Sequence, residues 1–308
     1  LTLPIGSDEN GDGRPDAPAP LVIAPHDGPW ARDSYGFNPL HQWLANRGYA
    51  VMSVNYRGST GFGRAFLNAG NRQWGSRMQE DLIDAVQWAI ANGVAAPDQV
   101  AILGAGYGGY AALASLVFTP DQFRCAAAFG APANLAAMIE TTPAYAAAIR
   151  DMLYLRVGDP RTAEGRQMLR ERSPLTRASQ IRQPLLISVG ARSPRASRAE
   201  MDQMAFAARA RRAGLTYLVF PEEGAELVTP QNRLAYLAVL EHFLGDCLGG
   251  RAEPVGAAFE GARMYAYDGA ASVPGLSAFA RRLGAPAVAP VSAPLNPSES
   301  PADFAPEP

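Results

Sequence analysis

Lysine is absent from all 308 residues, and each of the 27 basic side chains is an arginine. No lysine can therefore serve as a base, a nucleophile or a Schiff-base former. Histidine is almost as scarce, with only His26, His41 and His242. Acid–base chemistry near neutral pH has few side chains to draw on. There are two cysteines, Cys125 in an apolar strand and Cys247 near a helix end. They are far apart in the chain, and two unpaired thiols are expected. No apolar run approaches the roughly 20 residues of a membrane span. A net charge of −2 gives no field for nucleic acid. An initiator methionine is missing as well. The chain opens inside a strand-like run, Leu1–Ile5, and reads as a processed or trimmed piece of a longer polypeptide.

The remaining composition is that of a globular protein with a large core, 48% hydrophobic and 18% charged. Apolar runs at residues 21–25, 51–55, 99–103, 125–129 and 184–189 read as strands, and 216–220 as the last strand. Helical patterns lie between them, at 37–46, 78–91, 107–117 and 201–212, with a last long helix at 233–244. In the second of these, Leu82, Ile83, Val86 and Ile90 recur at helical spacing. Strands alternating with helices imply an α/β fold, a mostly parallel twisted sheet with helices on both faces. Residues 134–172 form an alanine-rich helical excursion of the kind that builds pocket walls. The pattern weakens from about Gly250. From Pro286 to Pro308 the chain is rich in Pro, Ala and Ser, too poor in apolar surface to fold alone. The expected organisation is a domain over 1–254, entered through an acidic hairpin at 1–20, and an extension over 255–308.

Between the strand at 99–103 and the helix at 107–117 lies Gly104-Ala105-Gly106-Tyr107-Gly108-Gly109-Tyr110. A strand, a glycine-rich turn and a helix are the context of the G-x-S-x-G nucleophile elbow. The residue at its centre must carry the attacking oxygen, and here it is Gly106.

Other motifs follow in a fixed order. His26-Asp27-Gly28-Pro29-Trp30 comes after the first core strand, and Asn55-Tyr56-Arg57-Gly58-Ser59-Thr60-Gly61-Phe62-Gly63 after the next. Trp74-Gly75 precedes Glu80-Asp81-Leu82, then come the elbow, Ser173-Pro174-Leu175 and Phe220-Pro221-Glu222-Glu223-Gly224. In this order they resemble the catalytic α/β-hydrolase domain of the S9 (prolyl oligopeptidase) serine peptidases, over roughly 1–254.

The resemblance implies a serine–histidine–aspartate triad, and this chain departs from it at each member. The nucleophile position is Gly106, the aspartate position is Ser193, and the histidine position is Ala225. Gly106 cannot attack, Ala225 cannot accept a proton, and Ser193 cannot stabilise an imidazolium. The resemblance places the oxyanion-hole amides at Gly28 and Tyr107. Asp27 stands where the family has a glycine, and a carboxylate there opposes a developing oxyanion. Arg57 is expected to tie its loop structurally rather than to bind an anion. The family also carries a β-propeller before this domain, which is not in these residues.

A second motif is Asp8-Glu9-Asn10-Gly11-Asp12-Gly13-Arg14-Pro15-Asp16. Its spacing matches a calcium loop, with Asp8, Asn10, Asp12 and Asp16 as the Ca²⁺ ligands. A solvated Asp/Asn/Gly turn accounts for the same residues, with no cofactor. Two functions are expected from all this. The first is a catalytically inactive binding, scaffolding or assembly subunit with a protein partner. The alternative is a serine-type peptidase or esterase with an atypical or residual site. The resemblance suggests export to the periplasm, with the cytoplasm as the alternative.

Overall fold

Short apolar runs bounded by Gly, Pro and polar residues become strands, and the stretches between them become helices. A computed structural model describes residues 1–209 and 214–284. In chain order it contains β1 (Ala19–Ile23), α1 (Pro39–Asn46), β2 (Ala50–Met52), α2 (Arg64–Ala69), α3 (Arg77–Ala91), β3 (Ala95–Ala105) and α4 (Tyr107–Phe118). There follow β4 (Cys125–Phe129), α5 (Leu135–Glu140), α6 (Ala147–Arg156), α7 (Ala163–Glu171), β5 (Leu185–Gly190) and α8 (Arg198–Arg209). The last elements are β6 (Leu215–Phe220), α9 (Pro230–Leu248), β7 (Tyr265–Asp268) and α10 (Leu276–Leu283). Of the helix expected at 201–212, residues 210–212 lie outside those described, as does the Pro-rich stretch from 286.

The seven strands hydrogen-bond in the order β2-β1-β3-β4-β5-β6-β7. All neighbours are parallel except β6 and β7, where Leu218 faces Ala266 in antiparallel register. The chain runs outward from β1 to β2 and then returns to the other side of β1 with β3. The carboxyl ends of β1 and β3 therefore lie side by side at a switch point, where open α/β sheets form their sites.

Alternation along the strands divides the core into two layers. Leu21, Ile23, Val100, Ile102, Ala126, Ala128, Ile187 and Val219 pack with α3, α4 and α8. Val22, Ala101, Leu103, Ala127, Phe129, Leu218 and Phe220 pack with α1, α9 and α10 on the other face. The excursion at 134–172 folds as α5, α6 and α7 beyond the carboxyl end of β4. Asn38 caps α1 by accepting from the amides of Leu40 and His41, with Pro39 opening the helix.

Three expectations need correction. The Leu1–Ile5 run forms no strand; a single antiparallel bridge joins Thr2 to Val51. Residues 216–220 are not the last strand, because the chain after 254 adds β7 to the sheet edge and packs α10 beside it. The cysteines are not free: Cys125 and Cys247 are joined by a disulfide, 122 residues apart in sequence. The return of α9 across β4 brings them together on the second face of the sheet.

A buried carboxylate braces the first face. Glu200, in the first turn of α8, accepts from the Asn134 amide at the start of α5, at 3.3 Å. Burial pushes its carboxyl up to about 7, against the hydrogen bonds from Asn134, Ala133 and Ser197.

Two outcomes are expected from this fold. Replacing both cysteines with alanine should lower unfolding free energy by roughly 2–4 kcal/mol, read from the denaturant midpoint. Glu200 binds its proton more tightly when folded than when unfolded. Stability should therefore fall as pH rises from the ordinary carboxylate range through about 7. The variant E200Q should lose that decline in melting temperature and be the more stable protein above pH 7.

Candidate active site

β3 ends at Ala105, and the chain reverses into α4 through Gly106 at φ +53° and ψ −118°. Sequence dictates this sharpness. A Cβ on Gly104 would lie 2.5 Å from the Gly108 carbonyl carbon, and one on Gly108 would lie 2.3 Å from the Pro25 carbonyl oxygen. Only glycines permit that approach. The turn is pinned by the Gly106 amide donating to Phe129 O at 3.0 Å and by the Tyr110 amide donating to Gly106 O at 2.9 Å. The geometry is that of the elbow expected from the sequence, and the residue at its tip bears no side chain.

The α4 N-terminus is capped from far away. Gly106 offers no capping oxygen. Instead the Tyr107 amide donates to Asp27 Oδ1 at 2.6 Å. The other carboxylate oxygen accepts from Arg195 Nη1 at 3.1 Å, from the loop between β5 and α8. One of the two amides expected to face an oxyanion is thus already engaged by an anion of the chain itself. Gly28, the other, follows Asp27 directly in left-handed backbone at φ +126°.

Ser193 lies in the same β5–α8 loop as Arg195. Its Oγ accepts from the Arg195 and Ala196 amides, both at 3.4 Å, so it shapes the loop. Ala225 lies beyond β6 and lines an apolar cavity of about 460 Å³ with Ala105, Phe129, Trp43 and Tyr236. A larger cavity of about 780 Å³, between the β6 exit and α10, includes none of these residues.

Each of the three histidines has a setting of its own. His26 stacks on Tyr56 with ring centroids 4.4 Å apart. Its Nε2 is 2.9 Å from Ser59 Oγ, a pairing that resembles a nucleophile and its base. Ser59 is fully buried, however, and its hydroxyl donates to Tyr56 O at 2.7 Å, out of reach of any substrate. His41 lies between Thr2 and Ser53, with its pKa lowered by burial. His242 belongs to α9, on the far layer. Beneath the elbow, Tyr56, Tyr107, Tyr110 and Trp74 form an aromatic floor. Burial holds the three phenols above their ordinary pKa, so they stay neutral. Arg57 makes a two-pronged contact with Asp81, at 2.8 and 2.6 Å, and ties its loop to α3 as expected.

Asp8, Asn10, Asp12 and Asp16 gather in one loop, but their oxygens face its own amides. Asp8 accepts from Asp12 and Gly13, Asn10 from Asp12, Asp12 from Arg14, and Asp16 from Glu9, at 2.9–3.2 Å. Among the described residues no three His, Cys, Asp or Glu side chains are grouped to hold a metal ion.

The sequence already placed Asp27 beside the hole but not in it, and it missed Arg195. Their separation of 168 residues leaves no local signal.

Comparison with known proteins agrees with this architecture. Residues 35–251 match the profile of the prolyl oligopeptidase family, Peptidase_S9. A dipeptidyl aminopeptidase BIII of Pseudoxanthomonas mexicana is 55% identical over 90% of this chain and 40% of its own length. Dipeptidyl peptidase family member 6 of Caenorhabditis elegans is 43% identical over 78% of this chain and 33% of its own. The structure of a puromycin-hydrolyzing peptidase of Mycobacterium tuberculosis superposes with a TM-score of 0.71 at 29% identity, covering 77% of this chain and 35% of that one. The chain thus spans about 40% or less of these relatives. With its mostly parallel sheet, its elbow and this similarity, the chain belongs to the prolyl oligopeptidase family, Peptidase_S9.

Proposed function

We propose that this chain is a non-hydrolysing member of its family, acting as a binding, scaffolding or assembly subunit. The observation that carries the reading is the elbow tip: Gly106 has no nucleophile, and the adjacent Tyr107 amide is held by Asp27. Acyl transfer needs an attacking atom, a base and free donors for the oxyanion. Ser193 and Ala225 provide neither the acid nor the base that the family's triad would require. Removal of a complete triad costs about 10⁶-fold in turnover in subtilisin.

Binding has a surface to work with. Tyr35, Phe37, Phe62 and Tyr145 are exposed in connections that leave the carboxyl ends of β1, β2 and β4, the side on which the elbow opens. Exposed apolar groups gathered on one side suit a protein contact. The partner is either a separate protein or the remainder of a longer polypeptide such as a propeller domain. The Cys125–Cys247 disulfide supports an oxidising compartment, in keeping with export.

The second reading is a serine-type peptidase or esterase with an atypical site. It is favoured by the 55% and 43% identities to a dipeptidyl aminopeptidase and a dipeptidyl peptidase. Under it, the substrates would be peptides cleaved two residues from the amino end.

Purified chain incubated with p-nitrophenyl esters and dipeptidyl p-nitroanilides decides between them. The expected result is hydrolysis at the buffer rate. A rate at least about tenfold higher, abolished by R195A, would establish the second reading.

A further inference from the structure

A Cβ built on Gly106 would lie 2.1 Å from Asp27 Oδ1, 2.4 Å from its Cγ and 2.5 Å from its Oδ2. The whole carboxylate therefore occupies the space where any side chain of residue 106 would begin. It is not loosely placed. Oδ1 takes the Tyr107 amide at 2.6 Å, and Oδ2 takes Arg195 Nη1 at 3.1 Å. The loop that presents it is fixed in turn: the Tyr56 hydroxyl donates to His26 O at 2.7 Å, and the Thr60 amide to Ala31 O at 2.8 Å. The electrostatics favour the arrangement from both sides. The N-terminus of a twelve-residue helix attracts negative charge, and the arginine neutralises what is left.

We infer that Asp27 is an internal ligand of this oxyanion hole, clamped by Arg195, and that a side chain at 106 and the carboxylate at 27 exclude one another. The site is closed by two interlocking replacements and not by the loss of one hydroxyl. Restoring a serine at 106 alone would drive the carboxylate off its amide and away from its arginine. Restoring it after Asp27 is gone would meet open space. The inference deepens the non-hydrolysing reading and rests on it for its functional meaning, but its test reads stability and not turnover.

The test is a double-mutant cycle on the full chain with D27G, G106S and the D27G/G106S pair, scored by denaturant unfolding. Serine at φ +53° is strained in either background, so that cost cancels in the cycle. The expected result is coupling: G106S should raise the unfolding constant at least about tenfold more with Asp27 present than with D27G. Amide exchange at Tyr107, followed by NMR, should quicken in D27G and in R195A. If G106S fails to fold by itself, recovery of folding in D27G/G106S is the supporting result. Equal effects of G106S in both backgrounds, or failure to fold in both, overturn the inference, as does unchanged Tyr107 exchange in D27G. Ester hydrolysis by the unaltered chain would defeat the non-hydrolysing reading while leaving the cycle to be judged separately.

Discussion

The turn at Gly106 constrains everything near it. β3 must pass into α4 without a spacer, and the reversal is tight enough to bring Gly104 against Gly108 and Gly108 against Pro25. That packing aims the first amide of α4 into the cleft beside the loop that leaves β1. An amide at a helix start, pointing into a groove, is a standing invitation to negative charge. In a hydrolase the invitation is kept open for a reacting carbonyl. Here Asp27 takes it up, and the helix gains from within the chain the cap that Gly106 cannot supply. The turn is required by the packing of the sheet whether or not any chemistry happens on it.

This separates two things that sequence identity mixes. The mostly parallel sheet and its two helical layers rest on packing spread over the whole core. Turnover depends on a few side chains whose replacement hardly alters the core. Gly106, Ser193 and Ala225 all lie at or beyond the carboxyl ends of strands, where substitution leaves the layers untouched. A fold can therefore be held closely while its reaction changes or stops.

What the sequence made legible follows the same division. Strands such as Cys125–Phe129 and helices such as Arg77–Ala91 announce themselves through local periodicity, because burial acts on nearest neighbours along the element. The elbow and the role of Arg57 were readable for a related reason, since each depends on a short run of residues. The disulfide was not, because Cys125 and Cys247 meet only after α9 has returned across the sheet. β7 was missed because four residues, Tyr265–Asp268, carry too little alternation to stand out, and their partner is β6 rather than a hairpin neighbour. Leu1–Ile5 misled in the opposite direction: its apolar residues suggested a strand, but pairing reached only Thr2. The Asp27–Arg195 contact depends on two loops that the topology brings together, and composition alone does not reveal it.

The energetics of the elbow at rest differ from those of a reacting site. In a working hydrolase, a carboxylate on an oxyanion donor would repel the charge that the transition state develops, and losing a single donor already costs about 10²–10³ in rate. With glycine at 106 and no substrate bound, the sign reverses. The Tyr107 amide becomes an orphan donor at a helix start, the space beside it stands empty, and a carboxylate satisfies the one while filling the other. Arg195 then has a charge to meet, and the β5–α8 loop that carries Ser193 gains an anchor across the cleft. On the non-hydrolysing reading proposed above, each contact that Asp27 makes adds to the hold on the elbow.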